Sequence, residues 1–287
     1  MGQEIVRAVA HKRDLRYVVV INTETVADVA RRHKVTGADL TPLGSVMSGT
    51  QLLATLLKGA GTLTCKVDSD GALPWIAADA TPLGLVRATL RRAAADDESS
   101  DLGTPLIGDG TLTVEKRLVE GGSGYRGIVE LVSPQIAPSL AYYLEKSEQI
   151  RSCIGLSTTF DHTGVVSSGG FMIQVFPGTE ERSIELVEEQ INSLESINEL
   201  FPRGVTADDV LKRLAGDDVD LQIMSRHPVT FHCPCTRERS LKALVALGRD
   251  ELEAMLADGG EIAMSCDYCK EPYAFNADEV RSLFEDS

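Results

Sequence analysis

"VTFHCPCTRERS", residues 229–240, and "MSCDYCKEPY", residues 264–273, decide how this chain is read. Cys233 and Cys235 stand one residue apart, and Cys266 and Cys269 stand two apart, with thirty residues between the pairs. Two pairs of soft sulfur donors match a tetrahedral site of four thiolates, the donor set of structural zinc. The second pair has the usual spacing of such a half-site; the one-residue spacing of the first is rarer. Residues 229–287 carry few large apolar side chains, and a unit that small needs a staple. Zinc supplies an apparent folding energy of roughly 10–16 kcal/mol. The expected ligands are Cys233, Cys235, Cys266 and Cys269, holding one Zn2+ per chain. His227 and His232 flank the first pair, but four cysteines already complete the shell. Cys65 and Cys153 stand alone and read as ordinary buried cysteines.

Zinc keeps sulfur deprotonated, and thiolate is the form that oxidants attack. Disulfide formation within each pair would remove the ligands and the folding energy together. Spacing alone permits that chemistry without establishing it.

Composition narrows the compartment and the partners. The 287 residues carry a net charge of −15, divided as −2 over 1–178, −7 over 179–228 and −6 over 229–287. So acidic a C-terminal half opposes phosphate backbones, which argues against a nucleic-acid partner. The longest aliphatic or aromatic run is "YVVVI", residues 17–21, far short of the roughly 20 residues a spanning helix needs. The first residues, "MGQEIVRAVAHKRD", lack the apolar stretch of a secretory signal. A cytoplasmic location and no membrane partner are therefore expected, and reduced thiols with them.

Strand-like and helix-like segments mix without regular alternation, so the expected fold class is α+β: a sheet-rich N-terminal core domain, a helical linker and a small zinc domain. "LRYVVVINT", "GTLTCKVDSDG", "GTLTVEKRLVEGGSGYRGIVELVS" and "GGFMIQVFPG" read as strands and hairpins. "DLTPLGSVMSGTQLLATLLKG" reads as a helix stopping at Gly59, and "SPQIAPSLAYYLEKSEQIRS" as another. The predicted boundaries are 1–178, 179–228 and 229–287. In the middle segment Ile184, Val187, Ile191, Leu194, Ile197 and Phe201 fall on one helical face, with glutamates around the rest. A second short helix follows, with Thr206 as N-cap and Gly216 as stop. That apolar face needs something to dock on.

Enzymatic readings find little support. "GSGYRG", residues 122–127, matches Gly-x-Gly-x-x-Gly but leads into the strand-like "IVELVS", so a hairpin turn is expected rather than a dinucleotide site. The chain has neither a phosphate-binding Gly-x-x-x-x-Gly-Lys-Ser/Thr loop nor a Gly-x-Ser-x-Gly elbow. His11, His33 and His162 sit in ordinary polar contexts.

Against that background, "HCPCTRERSLKALVALGRDELEAMLADGGEIAMSCDYCKEPYAF" resembles the zinc domain of the 33-kDa heat-shock protein family, redox-regulated holdase chaperones of bacteria. The N-terminal segments "TETVADVARRHKVTGADLTPLGSVMSGTQLLATLLKG", "YRGIVELVSPQIAPSLAYYLEKSEQIRSCIGL" and "SGGFMIQVFPG" are similar to its core domain. The resemblance implies a non-enzymatic, ATP-independent chaperone, inactive when reduced and zinc-bound. It implies that oxidation joins Cys233 to Cys235 and Cys266 to Cys269, frees the metal and unfolds the zinc domain and linker. The oxidised protein would then form a homodimer and hold unfolding client proteins. The competing reading is a structural zinc-ribbon protein serving as a nucleic-acid or assembly partner.

Overall fold

The computed structural model describes residues 2–93, 105–119, 124–216 and 220–284. The chain divides into two compact units, Met1–Phe231 and His232–Ser287.

The first unit opens with strands β1 (Glu4–Ala10) and β2 (Leu15–Ile21), then helices α1 (Thr23–His33) and α2 (Leu40–Ala54). Strands β3 (Gly61–Ser69), β4 (Trp75–Ala80), β5 (Leu85–Arg91), β6 (Gly110–Leu118) and β7 (Tyr125–Glu130) follow. Next come α3 (Ile136–Glu148), β8 (Ser152–Asp161), β9 (Gly164–Val175), α4 (Glu181–Asn192), α5 (Ala207–Ala215), β10 (Leu221–Pro228) and the two-residue β11 (Thr230–Phe231). One sheet has the order β10-β1-β2-β9-β8, the other β11-β5-β4-β3-β6-β7. The mixed α+β class expected from the sequence is therefore the one observed.

Helix α2 explains the layering. Thirteen of its fifteen residues are buried, including Leu43, Met47, Leu52 and Leu53. A helix apolar on every side must be surrounded, and its cluster draws on both sheets: Ile5, Val18 and Val20 from the first, Leu63, Val67, Ile76 and Val114 from the second. Asn22, caught in that core, donates to Ser48 Oγ at 2.9 Å and to Gln51 Oε1 at 2.7 Å, while Gln51 Nε2 is buried without a partner among the described residues. The helix stops at Ala54, short of Gly59, because Thr55 Oγ1 bonds back to Leu52 O at 2.6 Å and Leu56 and Leu57 donate to carbonyls only three residues behind.

The other face of the five-stranded sheet carries a second cluster. Val6, Ala8, Leu15, Tyr17, Val19, Phe171 and Ile173 meet Val187, Leu200, Phe201, Val210, Leu211 and Leu214 from the segment after β9. Alternation along β1 and β2 sends one set of side chains to α2 and the other to this segment.

Two features of residues 179–228 differ from expectation. The helix expected to continue from Ile184 to Phe201 breaks after Asn192. Ser193 Oγ returns to Gln190 O at 2.7 Å, and Ser196 caps a new 3-10 turn, Ile197–Leu200, through a capping box with Glu199. Local hydroxyl bonds outcompete helix continuation there. Residues 221–228 are not helical; they form β10, pairing with β1 along the sheet edge. Thr206 and Gly216 do bound α5, where Thr206 forms a capping box with Asp209 and Gly216 takes φ +81°. The expected hairpin around "GSGYRG" is present as the β6–β7 pair, although Gly122 and Ser123 lie outside the described residues.

The second unit comprises α6 (Arg237–Leu244), α7 (Arg249–Gly259), the antiparallel pair β12 (Glu261–Ser265) and β13 (Pro272–Asn276), and α8 (Ala277–Ser282). Among the described residues its apolar core is six buried side chains: Leu244, Leu252, Leu256, Ile262, Phe275 and Val280.

Candidate metal centre

In the second unit the β12–β13 pair ends in a turn that presents Cys266 and Cys269. Lys270 N–H donates to Cys266 O at 2.9 Å, and Cys266 N–H to Glu271 O at 3.0 Å. The turn requires left-handed backbone at Lys270, φ +60°. Cys233 and Cys235 come from the loop that leads into α6. Thr236 caps that helix by accepting from Arg239 N–H at 3.2 Å, while Arg239 Nη1 donates to Pro234 O at 2.8 Å. Arg237 fixes the loop from the other side. Its guanidinium grips Glu279 at 2.6 and 2.9 Å, donates to Ala274 O at 2.7 Å and lies 4.7 Å from the centre of the Phe275 ring.

These elements converge the four sulfurs within 4.8 Å of one another. Cys233 Sγ lies 3.7 Å from Cys266 Sγ, and Cys235 Sγ lies 3.3 Å from Cys269 Sγ. A tetrahedral site with metal–sulfur bonds near 2.3 Å has an edge of about 3.8 Å, so the spacing fits a four-thiolate ion. The chemistry fits as well. Burial, followed by hydrogen bonds among the neighbouring thiols, pushes the Cys269 thiol upward, against one opposing backbone bond at Glu271. Sulfurs so crowded ionise together only around a cation. The four cysteines can therefore hold a metal ion, and neither His227 nor His232 belongs to the cluster.

Tyr273 is a member of the site that no sequence signal marked. Its hydroxyl donates to Cys235 Sγ at 3.2 Å, a bond that stabilises thiolate and restrains the sulfur, as second-layer groups do around metals. Arg237 was equally unmarked, although the Asn276-x-x-Glu279 capping box that positions its partner has a recognisable pattern.

The remaining cysteines are set apart. Cys65 is buried on β3 and desolvation pushes its thiol to about 12. Cys153 keeps an exposed surface on β8, yet the packing around its sulfur, aided by the charge of Glu188, raises it to about 11. His11 pairs with Gln222 Oε1 at 2.7 Å, a structural role.

Of the apolar face named from the sequence, Val187 and Phe201 are buried in the outer cluster of the five-stranded sheet, and Ile191, Leu194 and Ile197 pack half-buried against it. Ile184 is buried too, outside that cluster. Glu188, Glu189, Glu195 and Glu199 are exposed.

Comparison with known proteins bears on the whole chain. The family described as Hsp33 protein matches residues 3–276. A 33 kDa chaperonin of Geobacillus kaustophilus is 33% identical over 294 residues, covering 99% of this chain and 98% of its own. The 33 kDa chaperonin of Bacillus subtilis is 32% identical over 290 residues, 97% of each chain. A solved 33 kDa chaperonin (heat shock protein 33 homolog) from Thermotoga maritima superposes with a TM-score of 0.85 at 26% identity, covering 100% of this chain and 99% of that one.

Proposed function

The chain belongs to the Hsp33 family, and we propose that it is a redox-switched, ATP-independent holdase whose switch is the four-cysteine centre. A chaperone role, rather than an enzymatic one, is common to the family. The observation that carries the finer reading is the convergence of four thiols in a unit whose apolar core, among the described residues, is six buried side chains. A unit this dependent on its ligands loses its fold when they are oxidised.

One Zn2+ per chain, held by Cys233, Cys235, Cys266 and Cys269, supplies the charge that keeps all four sulfurs as thiolates. A peroxide-class oxidant takes two electrons from each pair. One sulfur–sulfur bond forms, the oxygen–oxygen bond breaks to water or hydroxide, and the two sulfurs no longer offer charge to a cation. Residues 229–287 then unfold, and the acidic segment 179–228 detaches from the sheet it covers. The uncovered apolar faces take up unfolding clients, and two chains associate as a homodimer in the cytoplasm without nucleic acid or membrane. A thermally unfolding client should aggregate freely beside the reduced protein and stay in solution beside the peroxide-treated one, with no nucleotide added. Equal aggregation in both mixtures would leave only a structural metal protein.

The disulfides join Cys233 to Cys235 and Cys266 to Cys269. The shortest sulfur contacts run between the pairs, but around one ion all six edges are nearly equal, and unfolding leaves each cysteine nearest its sequence neighbour. Cys65 and Cys153, with thiols raised to about 12 and 11, stay largely protonated at neutral pH and out of the exchange. Peptide mapping of the oxidised protein should recover the two short-range links. A predominance of links between the halves, or any major link to Cys65 or Cys153, contradicts the assignment.

A further inference from the structure

The two large sheets have four edges, and natural proteins blunt such edges. The β10 ladder is irregular at Arg7/Ala8, the ladder of β8 slips at Thr159/Phe160, and β11 is two residues long. Strand β7 carries none of these devices. Its register with β6 runs unbroken from Lys116↔Tyr125 to Thr111↔Glu130, and its sequence, "YRGIVE", contains neither proline nor lysine. Among the described residues no strand pairs with its outer side. Ile128 is 55% exposed and Tyr125 45%.

The hydrogen bonds show which groups face outward. Leu131 N–H donates to Gly110 O at 2.9 Å, so the odd-numbered residues of β7 form the hydrogen-bonded pairs with β6. The N–H and C=O groups of Arg126, Ile128 and Glu130 therefore point to the open edge. Their side chains share one face of the strand.

We propose that β7 is an interface between two copies of this chain, paired antiparallel about a two-fold axis at Ile128. That register opposes Ile128 to itself and Arg126 to Glu130, twice. All three become hydrogen-bonded pairs, the only kind the open edge can offer. Within one strand Arg126 and Glu130 stand about 13 Å apart, four residues at 3.3 Å each, too far to pair with each other. Arg126 presently reaches Glu115 of β6 at 3.5 Å, so it stands on the exposed sheet face where the partner's Glu130 arrives. An isologous contact needs such self-complementarity, and opposite charges directly across a ladder favour the register while like charges oppose it. A six-residue ribbon falls short of the roughly 1,200–2,000 Å2 that stable interfaces bury. The pairing is therefore weak until the surface beneath residues 179–228 is uncovered. In this respect it rests on the oxidation-dependent dimer proposed above.

Sedimentation velocity on the full chain, reduced and peroxide-oxidised, over a concentration series tests the pairing. Ile128→Pro removes an N–H that β6 does not use, so the fold survives it. It should weaken the oxidised dimer at least tenfold. Arg126→Glu or Glu130→Arg alone should weaken it similarly, and the double exchange should return it to within threefold of the parent. An oxidised parent that dimerises while ignoring all four variants overturns the β7 pairing and leaves the dimer standing. Failure of the double exchange to recover overturns the register. An oxidised parent that stays monomeric removes both. Loss of client holding by Ile128→Pro with the dimer intact would make the edge a client site and overturn the proposal.

Discussion

Replacing Cys266 and Cys269 with Ser should unfold residues 232–287, release residues 179–228 from the sheet they cover and leave the rest of Met1–Phe231 folded. Bound metal should fall from about one ion per chain to near zero. The magnitude decides the outcome: the ligand set contributes an apparent ~10–16 kcal/mol, as much as or more than the roughly 5–15 kcal/mol that holds a whole domain. Six buried side chains cannot compensate. Hydrogen exchange reports the two units separately. Amides of β12 and β13 should lose their protection entirely, while those of β2 and β9, at the centre of their sheet, keep theirs. Chelation of the unsubstituted protein should reproduce the pattern. Retained protection across Glu261–Ser265 in the metal-free protein would show that the unit folds without its ligands, and the proposed switch would lose its energy source.

The sequence was most legible where local chemistry has few solutions. Four cysteines in two close pairs, on turns too polar for a core, allow little besides a shared ion, and the structure gathers those four and no histidine. Thr206 and Gly216 were legible for the same reason, since capping and positive φ are dictated by the residues themselves. The second layer around the sulfurs was not. Tyr273 reaches Cys235 across 38 residues and Arg237 reaches Glu279 across 42, and no local pattern encodes such a pairing. Strand β10 was missed because "LQIMSRHP" does not alternate cleanly; only the outer edge of β1 makes it a strand. The break after Asn192 was hidden by the apolar stripe, which keeps helical phase to Phe201 although the backbone does not. The stripe's periodicity runs through the turn and so concealed it.

That turn puts the greatest leverage on Phe201, which is 1% exposed, above Ile191 and Leu194, which are half-buried. The Phe201 ring packs against β9 where Gly169 offers no side chain; a Cβ there would stand 2.7 Å from ring atom Cε1. Behind it Arg213 binds Glu199 O, and Asn198 Oδ1 accepts from Ser157 Oγ at 2.8 Å. Phe201 thus anchors the turn between α4 and α5. Phe201→Ala should cost the docked segment about 3–5 kcal/mol, which at 1.4 kcal/mol per tenfold is roughly 10²- to 4 × 10³-fold in its opening equilibrium. The second unit is untouched by the substitution, so the metal should remain at its parental stoichiometry. Amide exchange across Glu181–Ala215 should accelerate by that factor, and the reduced, metal-loaded variant should suppress client aggregation without oxidant. Ile191→Ser and Leu194→Ser, each removing less buried surface, should act in the same direction but more weakly. If exchange across α4 and α5 stays slow in Phe201→Ala, the segment is held by contacts other than this anchor. If the segment opens and clients still aggregate, the surface it covers is not where they bind, because the variant separates uncovering from oxidation and leaves every sulfur in place.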